Sequence, residues 1–286
     1  KLDKLVSCIE RALNPMEAVN LAQLIRPDLK SNLSLFFDYP IFRGCEAQIW
    51  CSSYLPQEEF SSIPNVDPED PEKPVPPEVN IVCFLLLTFY LIDKERIDKA
   101  RECSSASIAF IQKQYSVLKV DGLASIIYYL YVKLHEENGE LAQIQGKLHV
   151  LHQRAKLRRE KISQDALVHE ILHYYLKYNL YDQAHMFISK QPLYQPSSNM
   201  ELSYYKFYSG RIQTIRLEYR DAKESLEVAA QLASFTTLVE FRELRLHITI
   251  WSIMVRLLLG EIPEKSIFKQ NGIIPLPLIP YLDLRN

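Results

Sequence analysis

The sequence predicts an all-α protein made of stacked helical hairpins, an α-solenoid, and three observations predict it. Glycine is scarce, apolar residues recur at helical spacing, and a short pattern repeats along the chain. Only seven of 286 residues are glycine, and long runs of helix formers leave little room for strands. Leu123, Ile127, Leu130 and Leu134 follow one another at steps of four, three and four, and Leu244, Ile248, Trp251, Val255 and Leu258 continue in the same manner. That is the 3.6-residue period of one helix face. The third observation, the repeat, needs the chain to be read in order.

Residues 1–55 read as a smaller N-terminal helical segment, with apolar positions Leu2, Leu5, Val6, Ile9 and Leu13. Residues 56–78 form a proline-rich acidic linker: Pro56, Pro64, Pro68, Pro71, Pro74, Pro76 and Pro77 crowd around Asp67, Glu69, Asp70 and Glu72. Proline has no amide hydrogen and a fixed φ, so helices and central strands do not form there. Residues 79–271 carry the helical-repeat array. The apolar run Ile81 to Ile92 is predicted to be a buried helix, because a helix crossing a bilayer needs roughly 20 such residues. No membrane partner is expected. Residues 272–286 are left as a separate, truncated segment.

Within the array, a helix over 163–178 has two apolar faces, one through Leu167, Ile171, Tyr174 and Tyr178, the other through Val168, Leu172 and Tyr175. A helix apolar on both sides needs neighbours on both sides, as in the middle of a stack. The repeat appears at the predicted starts of short second helices, where a bulky residue precedes a small or aliphatic one by three positions. The pairs are Ile97 with Ala100, Leu141 with Ile144, Tyr181 with Ala184, and Tyr219 with Ala222, their first members 44, 40 and 38 residues apart. Helix-hairpin repeats have this period. In the last unit Gly210, Ala222, Leu226 and Ala229 fall at offsets 0, 12, 16 and 19, the spacing of a tetratricopeptide-like hairpin in which small residues let two helix axes approach. Ala100, Ala184, Gly210, Ala222, Leu226 and Ala229 are therefore the predicted repeat-packing residues. A right-handed superhelical stack of such hairpins is the fold expected; a plain antiparallel bundle uses the same packing rules without regular stacking.

Charge and cysteine usage narrow the function. With 33 basic and 35 acidic residues the net charge is −2, so no global field draws the chain to nucleic acid or anionic lipid. Five scattered cysteines lack the paired spacing of a zinc knuckle or redox motif and read as reduced thiols of a protein of the cytoplasm and nucleus.

His169-Glu170-Ile171-Leu172-His173 matches the zinc-peptidase pattern of two metal-binding histidines one turn apart with a glutamate to activate water. No third ligand follows at a family spacing. The strip holding His169, Glu170, His173 and Lys177 lies between the two apolar faces and is expected to be a solvated polar stripe. His149 and His152, one turn apart, are expected on a helix surface. No phosphate loop, nucleophile elbow or catalytic cysteine signature is present. The reading is a non-enzyme with no cofactor and no metal, the alternative of another class being a zinc-dependent hydrolase.

Arg154, Lys156, Arg158, Arg159 and Lys161 form the strongest local basic run. A solvated helix end accounts for it, since cations there offset the helix dipole. A docking role for an acidic partner is the functional reading, with Arg154, Lys156, Arg158 and Arg159 as contacts. The run lacks interleaved aromatics, so nucleic acid is not expected. The 17 tyrosines read as packing residues, with Tyr205, Tyr208 and Tyr219 sharing a stripe with Ile212 and Ile215.

Three blocks carry a family resemblance: Leu180-Tyr181-Asp182-Gln183-Ala184; Tyr208-Ser209-Gly210-Arg211-Ile212 with Arg216-Leu217-Glu218-Tyr219; and Leu257-Leu258-Leu259-Gly260-Glu261-Ile262-Pro263. Together they resemble the PCI-family scaffold subunits of the proteasome lid, which share their architecture with the COP9 signalosome and translation initiation factor three. The resemblance spans roughly 79–286 and implies a structural subunit of a hetero-oligomeric complex. Its implied partners are other lid subunits, including a small acidic tether that would meet the basic run. It supplies no metal role. The family's winged helix is not expected within these residues, which stop at Tyr281-Leu282-Asp283-Leu284-Arg285-Asn286, about where the PCI segment would begin.

Overall fold

The computed structural model describes residues 77–113, 121–191, 194–234, 241–264, 268 and 276–281. The N-terminal segment 1–55, nearly all of the linker 56–78 and most of 272–286 lie outside the described residues. Those described form nine α-helices and one 3-10 turn, and no strand. They pair as hairpins: α1 (Pro77–Asp93) with α2 (Ile97–Lys113), α3 (Asp121–Glu137) with α4 (Leu141–Arg158), α5 (Lys161–Lys177) with α6 (Tyr181–Ser189), and α7 (Asn199–Ile215) with α8 (Tyr219–Ser234). Helix α9 (Phe241–Leu258) follows. Helix α1 starts at Pro77, inside the predicted linker, because the first helical position needs no amide donor.

The four second helices start at Ile97, Leu141, Tyr181 and Tyr219, the residues from which the sequence repeat was counted. Ala100, Ile144, Ala184 and Ala222, three positions on, are all buried. Contacts divide the chain into two compact units, Lys1–Leu167 and Val168–Asn286, the division falling inside α5. In the first unit α1 packs on α2 and α3, and α3 on α2 and α4. In the second α7 packs on α6, α8 and α9, and α8 on α9. In the first unit α1 thus touches α3, the first helix of the next hairpin, and in the second α7 touches the following α9, so that apolar surface no hairpin could bury alone is hidden within each unit. The predicted all-α fold of tetratricopeptide-like hairpins is observed within each unit.

One turn geometry recurs at six helix ends. Glu95, Gly139, Arg159, Asn179, Leu217 and Gly260 all have φ between 56° and 78°. At each, the residue's own amide donates to the carbonyl three back, and the next amide donates to the carbonyl five back; at Leu217 these are Leu217 N–H to Thr214 (3.1 Å) and Glu218 N–H to Gln213 (3.0 Å). This is the Schellman arrangement, which satisfies carbonyls a helix end would otherwise leave bare. At four of these six turns the following residue then starts the next helix by accepting from the amide four residues on, as Glu218 does from Ala222 N–H at 3.0 Å. Leu217 holds its left-handed conformation with a side chain 70% exposed, so it is strained and gains little from burial. Leu217→Gly is expected to raise stability by up to about 1 kcal/mol, the relief of strain exceeding glycine's extra unfolded-state entropy. Urea denaturation midpoints check it.

Two further devices set the register between hairpins. Arg101, the fifth residue of α2, pairs with Glu140 in the turn before α4. Lys223, the fifth residue of α8, pairs at 2.7 Å with Glu261 in the turn after α9. The two pairs occupy equivalent repeat positions, one in each unit. Being partly exposed, each contributes at most about 1 kcal/mol, and its main effect is to fix alignment. The stronger tie is Asp121. Its carboxylate accepts from the amides of Ile162 (2.9 Å) and Ser163 (2.7 Å), while its carbonyl accepts from the Ser163 hydroxyl (3.1 Å). The first residue of α3 therefore caps α5, one hairpin further along.

Candidate functional site

The most closely packed element is the α7–α8 hairpin. Ala222, Leu226, Ala229 and Ala233 of α8 are all 0% exposed, at the three- and four-residue steps of one helix stripe. Opposite them on α7 stand Ser203, Phe207 and Gly210, also buried. A Cβ on Gly210 would stand 2.8 Å from Leu226 Cγ and 3.4 Å from the Ala222 carbonyl oxygen. The Leu226 side chain thus occupies the space that a side chain on position 210 would need. Above and below it, polar groups are matched across the seam: the Ser203 hydroxyl donates to the Ala229 carbonyl (3.0 Å), and the Ser225 hydroxyl to Gln213 Oε1 (2.8 Å). Helix α7 itself begins with a cap, Ser198 Oγ accepting from Glu201 N–H at 3.2 Å. Of the six residues singled out by the repeat, four (Gly210, Ala222, Leu226, Ala229) meet here. Ala184, also 0% exposed, lies in α6, and Ala100 holds the same buried position in α2 of the other unit.

The basic run is split by the structure. Arg154, Lys156 and Arg159 are exposed. Arg158 is turned inward, one guanidinium nitrogen 3.7 Å from Glu160 and another donating to the Gln112 carbonyl at 3.5 Å. Leu157, 85% exposed, and Val150, 47% exposed, add apolar surface to this face of α4. Neither is marked in the sequence, since one leucine among five cations carries no periodic signal.

The strip holding the His-Glu-x-x-His match is only partly solvated, which corrects the expectation from helix periodicity: Lys177 is exposed, but His169 and His173 are half-buried. Glu170 is buried at 5% exposure. His169 packs edge-on against Tyr204 and Tyr208 of α7, ring centroids 5.0 and 5.1 Å apart, and its Nε2 lies 3.3 Å from the Tyr208 hydroxyl. The cause is the neighbour: α7 tyrosines are long enough to cover part of the strip between the two apolar faces. Among the described residues no group of three His, Cys, Asp or Glu side chains is placed to hold a metal ion. His152 is corrected in the same way, being buried rather than on a helix surface. Tyr178 and Leu258, counted on apolar faces, are exposed, each lying at the last turn or end of its helix.

Burial, followed by repulsion from His173, holds the His169 imidazolium off, its pKa falling to about 3; burial lowers His152 to about 4. Both values lie below the 6.5 of an unfolded histidine. The unfolded chain therefore binds more protons than the folded one from about pH 6.5 downward, and stability falls with pH across that window. About 2–3 kcal/mol is expected to be lost through His169 between pH 6.5 and 4. Stability measured over that range should fall less steeply in His169→Gln, which keeps a polar side chain without the titrating ring.

Similarity to known proteins agrees with this packing. Residues 51–285 match the family described as PSMD3-like, N-terminal TPR repeats. The chain belongs to this PSMD3-like family. A relative from Nicotiana tabacum named probable 26S proteasome non-ATPase regulatory subunit 3 is 43% identical over 275 residues, covering 94% of this chain and 55% of the relative. The Arabidopsis thaliana 26S proteasome non-ATPase regulatory subunit 3 homolog A is 40% identical over 275 residues, with the same coverage. A Schizosaccharomyces pombe relative, probable 26S proteasome regulatory subunit rpn3, is 34% identical over 209 residues, 72% of this chain and 41% of the relative. The chain thus spans about half the length of the PSMD3-like relatives it matches. Among the described residues no helix is long and apolar enough to cross a membrane.

Proposed function

We propose that this chain is part of a non-catalytic scaffold subunit of the 26S proteasome regulatory particle lid, supporting ATP-dependent degradation of ubiquitinated proteins by holding lid subunits in place. The observation that carries this reading is the similarity over 94% of the chain to relatives named as proteasome regulatory subunit 3. The packing is consistent with it: a stack locked by small-residue crossings transmits geometry, and the one catalytic motif match is occupied by aromatic packing. The names of the relatives favour the proteasome over the signalosome or the initiation factor. Buried, unoxidised Cys83 and Cys103, the latter with its thiol pushed up to about 11 by burial, suit residence in the cytoplasm and nucleus.

In this reading, residues 79–271 are the docking array, joined by the linker 56–78 to the segment 1–55. Arg154, Lys156 and Arg159 face the acidic tether, with Arg158 serving the fold instead. Mass spectrometry of proteins recovered with a tagged chain tests the proposal. Proteasome regulatory-particle subunits are the expected recovery, and signalosome or translation-factor subunits would redirect it. Stoichiometric zinc in the purified protein, lost in His173→Ala, would revive the hydrolase.

A further inference from the structure

Four half-buried arginines among the described residues have carboxylate partners, and Arg211 differs from them. Arg101 pairs with Glu140, Arg158 with Glu160, Arg216 with Asp182 and Glu218, and Arg256 with Glu227. Arg211, on α7, pairs with no carboxylate among the described residues. Its guanidinium carbon lies 5.6 Å from the Phe207 ring centroid and 5.1 Å from that of Trp251 on α9. Its Nε is buried and has no hydrogen-bond acceptor. The titratable groups acting on it are the hydroxyls of Tyr208 and Tyr181, and burial works against its charge.

A guanidinium kept from water without a counter-charge is costly. Aromatic contact offsets part of that cost through the ring quadrupole. It also fixes the orientation of a planar group whose N–H donors point outward in its own plane. Such a fork matches the two oxygens of a carboxylate. One positive charge balances one carboxylate, whereas a phosphate monoester carries nearly two charges. Arginine and tryptophan together are also the residue types that dominate the centres of protein interfaces.

We propose that Arg211, held against Phe207 and Trp251, is a binding site for an aspartate or glutamate side chain of an assembly partner. The site rests on the scaffold reading above for the existence of such a partner. It lies within the second unit.

The test uses the chain with Trp50→Phe, which leaves Trp251 as the sole tryptophan of two and hence as the fluorescent reporter. The probe is the peptide acetyl-Leu-Glu-Leu-amide, with its glutamine twin and inorganic phosphate as comparisons. Saturable change in Trp251 emission is expected with the glutamate peptide, about tenfold weaker with the glutamine twin. Arg211→Lys keeps the charge without the fork and is expected to lose most of the response; Arg211→Gln loses all of it. If neither variant folds, as judged by circular dichroism, the glutamate-to-glutamine comparison on the unsubstituted site decides alone. Equal response to both peptides, stronger response to phosphate, or no saturation up to about 5 mM overturns the site. Recovery of regulatory-particle subunits with the tagged chain is a separate readout, so loss of the peptide response with that recovery intact overturns the site and leaves the scaffold standing.

Discussion

Gly210→Ala will destabilise the second unit even though alanine favours helix over glycine by about 1 kcal/mol. The gain is outweighed because the new Cβ would lie 2.8 Å from Leu226 Cγ. That atom is the branch point of a fully buried side chain, so it cannot swing aside as a chain end would. Separating the helices to admit the methyl also stretches the Ser203–Ala229 hydrogen bond. A net loss of about 1–2 kcal/mol is expected for alanine and about 3 kcal/mol or more for Gly210→Leu. The explanation rests on one atom pair, so it has a sharp check. In a Leu226→Ala background the obstruction is gone, and Gly210→Ala should become neutral or stabilising. Equal effects of Gly210→Ala in both backgrounds would rule out the crossing as the cause.

Asp121→Ala will weaken the first unit by about 2–3 kcal/mol, since two amides at the start of α5 lose a charged acceptor at once. Asp121→Asn, which can still accept one hydrogen bond, should cost about half as much. The effect should appear in α5 and not only in α3: amide exchange at Ile162 and Ser163 should speed up by as much as global stability falls. A loss confined to α3 would mean that the carboxylate stabilises its own helix alone.

The two cases differ in how visible they were. Gly210 stood out in the sequence because a tetratricopeptide-like hairpin needs a small residue opposite Ala222 and Leu226, and all three share one local stretch of chain. Asp121 acts on Ile162 across 41 residues, and no local pattern announces such a cap. The starts of α2, α4, α6 and α8 were readable for the same reason as Gly210: each begins with a side chain whose third successor must be buried. Half of the six positive-φ turns at the helix ends were not. Gly139 and Gly260 suit a positive φ, and Asn179 tolerates one, but Glu95, Arg159 and Leu217 adopt it without any propensity to do so. There the helix ends are dictated by packing on both sides of the turn.

The misreading of His169 has a related origin. Periodicity places a residue on a face, and the strip between two apolar faces is polar in composition. Whether it meets water depends on the size of the neighbours, and Tyr204 and Tyr208 reach far enough to cover part of His169 while Lys177 stays exposed. Arg158 shows the converse, a charge in a basic run drawn inward by Glu160 and the Gln112 carbonyl.

If adjacent hairpins hold one another in place, the helices of a crossing must open together. Amide hydrogen exchange of the chain with and without Gly210→Ala measures this directly. Matching acceleration along α7 and α8, with α9 following, is the result that mutual packing requires. Faster exchange in α7 with α8 and α9 unchanged would mean that each helix stands by itself, and a stack built from such helices could hold no partner in a fixed position.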